Sequence, residues 1–319
     1  MKTLLVYTPE QRSQYVKQCA ADLGFDACGI AAAGAIDPEN RLGNWIERGF
    51  HADMHWIERT EAIRQEARLT LPGARSVAAV GCNYYSPRPE APTGRGCVSS
   101  YAWGRDYHRV LRKPMAALAT AISQIEDQTE CYISVDTGPV MEKAWAARAG
   151  LGWIGKNSLV IRDGLGSWFF LGIIITTLEL APDAPARNAC GTCDKCMKAC
   201  PTGAIVEPGV VDARLCISYH TVENRGQIPA ELHEHFGNRV FGCDACQKVC
   251  PWNRSAGETH IADLHPRAGF ANPDLDEWLA LDQASFNERF AGSPIRRAKY
   301  EGFQRNLLIA KCNSQRTSL

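Results

Sequence analysis

The sequence predicts an α/β fold joined to a small cysteine-rich domain and a short helical C-terminal segment. Helix and strand patterns alternate over about the first 180 residues, and such alternation indicates helices layered on a sheet. Eight of the fourteen cysteines fall between residues 190 and 250. Residues 275–312 carry a helical pattern.

Each element rests on its own local pattern. In chain order we predict a helix over 9–23, a strand over 25–30, a helix over 38–48, a strand over 75–85, a helix over 106–128 that Pro114 would kink, a strand over 131–135, a helix over 140–149 and a buried strand over 168–178. The Pro- and Ala-rich string 181–188 reads as a linker. We therefore expect three domains, at 1–180, 181–255 and 256–319.

The composition narrows the classes of function. Thirty-five basic and 35 acidic residues balance, so no global field draws the chain to nucleic acid or membrane. The apolar stretch at the start is too short for a signal peptide, and the run over 168–178 is too short for a membrane span. We expect a cytoplasmic protein, and in that reducing compartment cysteines bind metals more often than they form disulfides.

The first cysteine run has the spacing of a bacterial ferredoxin. Two residues separate Cys190 from Cys193 and Cys193 from Cys196, and Cys200 follows three residues later, directly before a proline. This pattern binds a 4Fe–4S cluster. The second run, Cys243, Cys246 and Cys250, also ends before a proline, but Val240 stands where the full pattern would place its first cysteine.

Cys216 is the natural substitute for the missing ligand. In two-cluster ferredoxins the last cysteine of each run ligates the other cluster. The rule assigns one cluster to Cys190, Cys193, Cys196 and Cys250, and the other to Cys200, Cys216, Cys243 and Cys246. The alternative is a pair of zinc sites, but two runs that each end in Cys-Pro argue against it.

The C-terminal stretch is locally basic. Six cations face a single acid, Glu301; they are Arg296, Arg297, Lys299, Arg305, Lys311 and Arg316. Such a cluster can bind phosphates, as in nucleic-acid recognition. The alternative is a solvated helix face.

Several strings resemble motifs of the epoxyqueuosine reductase family. They lie at 101–108, 135–158, 166–172, 216–219 and 241–253, and include Asp-Thr-Gly-Pro at 136–139. The resemblance runs from about residue 10 to residue 312. It implies reduction of epoxyqueuosine to queuosine at the wobble position of tRNA, the last step of queuosine synthesis. It also implies cobalamin bound base-off by the N-terminal domain, and two 4Fe–4S clusters.

Asp136 matches the proton donor that is proposed for the family. Epoxide opening builds negative charge on oxygen, so a positioned acid lowers the barrier. We expect this carboxyl to be kept protonated by burial or by a neighbouring negative charge. The alternative is that Asp136 caps the helix that follows it.

The resemblance also suggests corrin contacts. These are Arg59, Asp136, Lys156, Asn157, Ser158, Ser167, Trp168, Ser218 and Asp244. Each has an alternative: Trp168 as core, Arg59 in a surface ion pair, Asp244 in a turn. The string Asp106-Tyr-His108 lacks the glycine of the usual cobalt-ligating histidine motif, so no histidine ligand is indicated. The string around Cys97 departs from the family's pattern, so we do not count Cys97 among the catalytic residues. His108 and Tyr107 are candidates for the same pocket.

The implied partners are tRNA carrying epoxyqueuosine in the anticodon and a low-potential electron donor of the flavodoxin or ferredoxin type. We expect a monomer without membrane contact. Many family members continue into HEAT-type helical repeats, and residues 302–311 resemble the first helix of one. The alternatives are an electron-transfer module, a reductive dehalogenase-like enzyme acting on a small molecule, and a tRNA-binding protein with structural clusters.

Overall fold

The computed structural model describes residues 8–90, 92 and 94–316. The strands are β1 (Ala27–Ala32), β2 (Ser76–Asn83), β3 (Cys97–Val98), β4 (Cys131–Ser134), β5 (Trp153–Ile154), β6 (Val160–Ile161), β7 (Phe169–Thr176), β8 (Ile205–Glu207), β9 (Val210–Val211) and β10 (Arg239–Phe241).

The helices follow the predicted order, with additions. They are α1 (Pro9–Asp22), α2 (Arg41–Glu47), α3 (His55–Glu58), α4 (Glu61–Gln65), α5 (Ala67–Thr70), α6 (Tyr107–Ser123), α7 (Glu142–Arg148), α8 (Lys195–Lys198), α9 (Ile217–Val222), α10 (Ala245–Lys248), α11 (Leu275–Leu279), α12 (Gln283–Arg289) and α13 (Lys299–Arg316). The predicted elements up to residue 178 are confirmed with ends that differ by a few residues, and α6 continues through Pro114.

The main sheet has the strand order β1-β2-β7-β4, and every neighbouring pair is antiparallel. The expected mixture of helices and strands is confirmed. However, the sheet is not the parallel one of a typical α/β fold, because apolar periodicity marks a strand without fixing the direction of its partner. β2 and β4 both run opposite to β7, so their carboxyl ends share an edge with the start of β7. Asp136 follows β4 at that edge.

Helices cover both faces of this sheet. Alternate residues of β2 and β7 point to opposite faces. One face packs Val80 and Ile174 against α1 and α6, and the other packs Val77 and Ile173 against Trp145 of α7. Gly29 allows the close approach of α7 to β1, because a Cβ there would lie 2.0 Å from the Ala149 carbonyl oxygen.

The cysteine-rich segment shares a core with its neighbours. β10 pairs in parallel with β3, and fully buried Val240 lies in one apolar cluster with Trp103, Trp278 and Phe303. Residue 240 therefore faces this core, and that placement explains why it is not a ligating cysteine. The predicted boundaries at 180 and 255 stay a prediction, and residues 1–7 and 317–319 of the predicted domains lie outside the described residues.

The C-terminal segment is helical, as expected, but broken. Asp282 caps α12 by accepting from the Ser285 amide, and a 3-10 helix at Pro294–Ala298 precedes α13. In the stretches 8–90 and 94–316, we find no helix long and apolar enough to cross a bilayer.

Candidate active site

A cleft of about 2030 Å³ opens at the sheet edge where β2 and β4 end and β7 begins. Its wall carries Asp136, Tyr107 and His108 together with the cysteines of the second predicted cluster, which are Cys200, Cys216, Cys243 and Cys246. The cleft therefore brings an acid–base group and four thiols that could ligate a metal cluster to one space.

A tight turn aims Asp136 into this cleft. Its backbone has a φ of 62°, in the left-handed region, which costs energy for a residue with a Cβ and tends to occur at functional sites. Glu142 stabilises the turn, because its Oε1 accepts from the Asp136 amide at 2.6 Å and from Ser134 Oγ at 3.0 Å. The helix α7 begins only at Glu142, after Met141, so the helix-cap alternative for Asp136 is wrong.

The Asp136 carboxylate accepts two hydrogen bonds from the start of α6. Tyr107 Oη donates to Oδ2 at 2.8 Å, and His108 Nε2 lies 3.2 Å from the same oxygen. The other ring nitrogen, His108 Nδ1, lies 2.7 Å from Asp106 Oδ1. Tyr107 is itself held flat on Phe170, with ring centroids 4.2 Å apart.

These contacts decide which group holds the proton. Burial favours a neutral Asp136, but the hydrogen bonds from His108 and Tyr107 outweigh it, and the pKa of Asp136 is lowered. Burial likewise opposes a charged His108, but its hydrogen bonds to Asp106 and Asp136 raise the His108 pKa to about 9. The expectation of a protonated Asp136 is therefore wrong: at neutral pH the carboxylate is ionised and the proton lies on His108.

Two further charged side chains lie behind Asp136. Burial, and after it the charge of Asp136, raises the pKa of Glu142 to about 7. Burial lowers the pKa of Lys143, whose Nζ lies 3.3 Å from Ser158 Oγ on the cleft wall. We predicted no role for Glu142 or Lys143 from the sequence, because their environment depends on how α7 packs against the sheet.

The loop 155–158 forms another part of the wall. Lys156, Asn157 and Ser158 all line the cleft, and Ser158 has a φ of 62°. Asn157 is buried, and its Nδ2 has no hydrogen-bond partner in the protein. A buried donor at a cleft wall fits a ligand that presents amide or carbonyl oxygens.

Of the remaining predicted corrin contacts, some line the cleft and others do not. Ser167 and Ser218 line the cleft, whereas Trp168 lines a smaller neighbouring cavity. Arg59 is exposed at the end of α3 and does not line the cleft. Asp244 is buried, and its carboxylate accepts from Ser99 Oγ and, at 2.8 Å each, from the amide and hydroxyl of Ser100. It ties the cysteine-rich segment to residues 99–100, and its contact with a corrin stays a prediction.

The thiols fall into two neighbouring groups. The pKa of Cys216 is raised to about 11, mainly by burial and also by the nearby thiols of Cys243 and Cys200. The pKa of Cys250 is raised mainly by burial and also by the nearby thiols of Cys190 and Cys193. The first group lines the cleft and the second does not. This grouping agrees with the crossed ligand assignment, because each run sends its last cysteine to the other group.

The basic C-terminal stretch is mostly paired. Lys311 Nζ forms a salt bridge with Asp276 Oδ2, and Arg316 Nη1 forms one with Glu234 Oε1, each at 2.6 Å. Arg297 pairs with Glu223 at 2.7 Å and lies 5.6 Å from the ring centre of Trp56. Only part of the stretch faces the cleft, namely Arg296, Arg297 and Lys299.

Two family models match the chain. "4Fe-4S double cluster binding domain" matches residues 189–253, and "Epoxyqueuosine reductase QueG, DUF1730" matches residues 64–137. The first covers the eight cysteines, and the second ends just past Asp136.

Proteins similar in sequence carry the same name. The epoxyqueuosine reductase of Synechocystis sp. is 48% identical over 269 residues, 83% of this chain and 92% of its own length. That of Escherichia coli is 40% identical over 309 residues, which cover 95% and 82% of the two chains.

Solved structures have the same fold. An epoxyqueuosine reductase in complex with an epoxyqueuosine-modified tRNA-Tyr stem loop has a TM-score of 0.91 at 32% identity, covering 98% of this chain and 84% of its own. A Bacillus subtilis epoxyqueuosine reductase whose aspartate catalytic loop is swung out of the active site has a TM-score of 0.88 at 31% identity, with the same coverage. The chain therefore belongs to the epoxyqueuosine reductase family, whose members are oxidoreductases.

Proposed function

We propose that this protein reduces epoxyqueuosine to queuosine at the wobble position of tRNA, using cobalamin and two 4Fe–4S clusters. The observation that carries the proposal is the cleft, which places the Asp136–His108 pair in the same space as Cys216, Cys243 and Cys246. Electrons and protons must meet at one substrate atom, and this arrangement supplies a source of each.

The eight cysteines would ligate the clusters in the crossed pattern. Cys200, Cys216, Cys243 and Cys246 would hold the cluster nearer the cleft, and Cys190, Cys193, Cys196 and Cys250 the other. The distal cluster would then accept electrons from a low-potential donor of the flavodoxin or ferredoxin type. Clusters transfer electrons singly over a wide range of potentials, so two successive transfers supply the pair that the reduction needs.

The cleft wall fits a corrin. Asn157 offers a buried donor without a protein partner, and Lys156, Ser158, Ser167 and Ser218 line the same space. Both ring nitrogens of His108 are engaged, with Asp106 and Asp136, so this histidine is not free to ligate cobalt, in keeping with base-off binding. When bound, cobalamin supplies a strongly reduced metal centre for the two-electron reduction.

His108 and Asp136 would handle the protons. The overall reaction takes up two electrons and two protons, and the epoxide oxygen leaves as water. The imidazolium of His108 donates to Asp136 Oδ2, and Asp136 lines the cleft, so His108 would supply one of the two protons through Asp136 to the epoxide oxygen as negative charge develops there. Tyr107 holds the carboxylate in place during this transfer and, since its own pKa is raised, stays protonated.

The tRNA would enter along the rim formed by Arg296, Arg297 and Lys299. Cationic side chains bind phosphates without reading sequence, and half-exposed Trp56 beside Arg297 offers a face on which a base can stack. We also propose a monomer in the cytoplasm, where tRNA and the electron donor are both present.

Loading the protein anaerobically with iron, sulfide and cobalamin tests the proposal. We expect the absorbance of both clusters and of a bound corrin, and conversion of epoxyqueuosine to queuosine in tRNA with a low-potential reductant. Clusters without corrin binding would favour an electron-transfer module. Turnover of a halogenated small molecule without any action on tRNA would favour a dehalogenase-like enzyme.

Asp136→Ala tests the site itself. We expect the variant to bind clusters and corrin but to lose turnover. Full turnover with both cofactors bound would remove Asp136 from the mechanism.

A further inference from the structure

A second, smaller cavity of about 190 Å³ lies beside the active-site cleft. We call it the side cavity. It is bounded by the segment after β2, by residues 100–103, by the residue before β7 and by the end of the second cysteine run. Its lining residues are Tyr85, Ser86, Arg88, Ser100, Trp103, Trp168, Lys248, Asn253 and Arg254.

Three buried polar atoms of this lining have no partner in the protein. They are Ser86 Oγ, Arg88 Nε and Trp168 Nε1. The guanidinium and indole N–H groups can only donate, and the hydroxyl can donate as well. Leaving such a group unpaired costs about 1–3 kcal/mol, so three of them around one cavity indicate a ligand that offers acceptor atoms.

The donors are fixed in position. The terminal nitrogens of Arg88 are committed, Nη1 to the Ala271 carbonyl and Nη2 to the Val98 carbonyl, both at 2.7 Å. The guanidinium also lies 4.7 Å from the ring centre of Trp103. Trp168 is packed against Tyr85, with centroids 5.8 Å apart. Held this way, the side chains lose little conformational freedom when a ligand binds.

The charge of the lining is positive. Arg88, Lys248 and Arg254 line the side cavity, and no carboxylate of the described residues does. The nearest acid we identify, Asp244, lies 3.9 Å from Arg88 Nη2, and its oxygens are already taken by Ser99 and Ser100. The volume corresponds to about six waters at ~30 Å³ each, which suits a compact anion and is small for a drug-sized molecule.

We propose that the side cavity binds a phosphate-type group, with Ser86, Arg88 and Trp168 donating to its oxygens and Lys248 and Arg254 balancing its charge. Two sources share this chemistry. One is the phosphodiester in the nucleotide arm of cobalamin, an assignment that rests on the proposed function. The other is free phosphate.

The test compares cobalamin with cobinamide, which lacks the nucleotide arm. Affinities are measured by anaerobic absorbance titration of cluster-loaded protein, and inorganic phosphate is tested separately by its effect on thermal unfolding. The variants are Ser86→Ala and Arg254→Gln. The matched control is Arg112→Gln, since Arg112 is exposed on α6 and lines neither cavity.

If the arm is the source, both variants bind cobalamin about tenfold more weakly, because Ser86→Ala loses a hydrogen bond to a charged group and Arg254→Gln loses a balancing positive charge, and both bind cobinamide as the parent does. If free phosphate is the source, phosphate raises the unfolding temperature of the parent and of Arg112→Gln but not of the two variants, and both corrinoids bind unchanged. Equal cobalamin affinity in all proteins, with no phosphate effect, would overturn the proposal. Unchanged cobinamide binding also separates this outcome from failure of the cofactor proposal.

Discussion

Replacing His108 with glutamine removes the proton that the site holds beside Asp136. Glutamine keeps a polar group of similar reach but cannot carry a transferable proton at neutral pH. With a pKa of about 9, His108 is about 97% protonated at pH 7.5, whereas at its ordinary pKa of about 6.5 it would be about 10% protonated. The carboxylates of Asp106 and Asp136 thus keep His108 protonated throughout the physiological pH range.

We expect His108→Gln to slow single turnover by about 10²-fold at pH 7.5, the lower end of what general acids contribute. In the parent protein the rate falls as pH rises through about 9, because the imidazolium is lost there; in the variant this fall disappears. The assay is nucleoside analysis of epoxyqueuosine-containing tRNA between pH 6.5 and 10. A rate within about threefold of the parent, with the same fall near pH 9, would refute the assignment.

Asp106→Asn is the matched control for this experiment. Asp106 caps α6 by accepting from the His108 amide, and asparagine is an equally good cap. The variant therefore keeps the helix but loses one of the two charges that raise the His108 pKa. We expect the fall in rate to move to lower pH by about one unit, with little change below pH 7. An unmoved profile would mean that another group titrates near pH 9.

The pKa of His108 is higher in the folded than in the unfolded protein, so protonated His108 stabilises the fold fully below about pH 6.5, and this stabilisation is lost as pH rises through about 9. The shift corresponds to about 3 kcal/mol, which solvent screening reduces to roughly 1–2 kcal/mol. Urea unfolding should show this loss of stability in the parent but not in His108→Gln. Cys216→Ala should halve the iron bound per chain, whereas Cys19→Ala, on α1, should leave it unchanged; full iron in Cys216→Ala would contradict the ligand assignment. Trp278→Ala should lower the free energy of unfolding by about 3–5 kcal/mol, because this fully buried ring packs against Phe270, Phe290 and Phe303; a loss below about 1 kcal/mol would contradict that packing.

The sequence predicted those features that depend on local pattern. Cysteine spacing predicted two groups of thiols, and the absence of a cysteine at Val240 pointed to Cys216. The structure places Cys216 near Cys243 and Cys200, and Cys250 near Cys190 and Cys193; that these groups ligate clusters stays a prediction. Apolar runs marked β2 and β7 because both are buried along nearly their whole length. These signals lie within single segments, so they can be read before the chain is folded.

Features that depend on tertiary pairing were missed or misjudged. The antiparallel order of the sheet is set by how segments far apart in the chain associate. The charge state of Asp136 depends on His108, 28 residues earlier, and on where α6 begins relative to β4. Asp244 lies beside Cys243, a predicted cluster ligand, but its carboxylate accepts hydrogen bonds from Ser99 and Ser100. Short helices α3 to α5 lack a long apolar period and were not predicted.

The most direct test of the account is nucleoside analysis after a single turnover of anaerobically loaded protein on epoxyqueuosine-containing tRNA, with and without cobalamin. We expect queuosine from the parent only when both clusters and cobalamin are present, and none from Asp136→Ala with the same cofactors bound. Queuosine formed without cobalamin, or no queuosine from a protein that holds both clusters and the corrin, would contradict it.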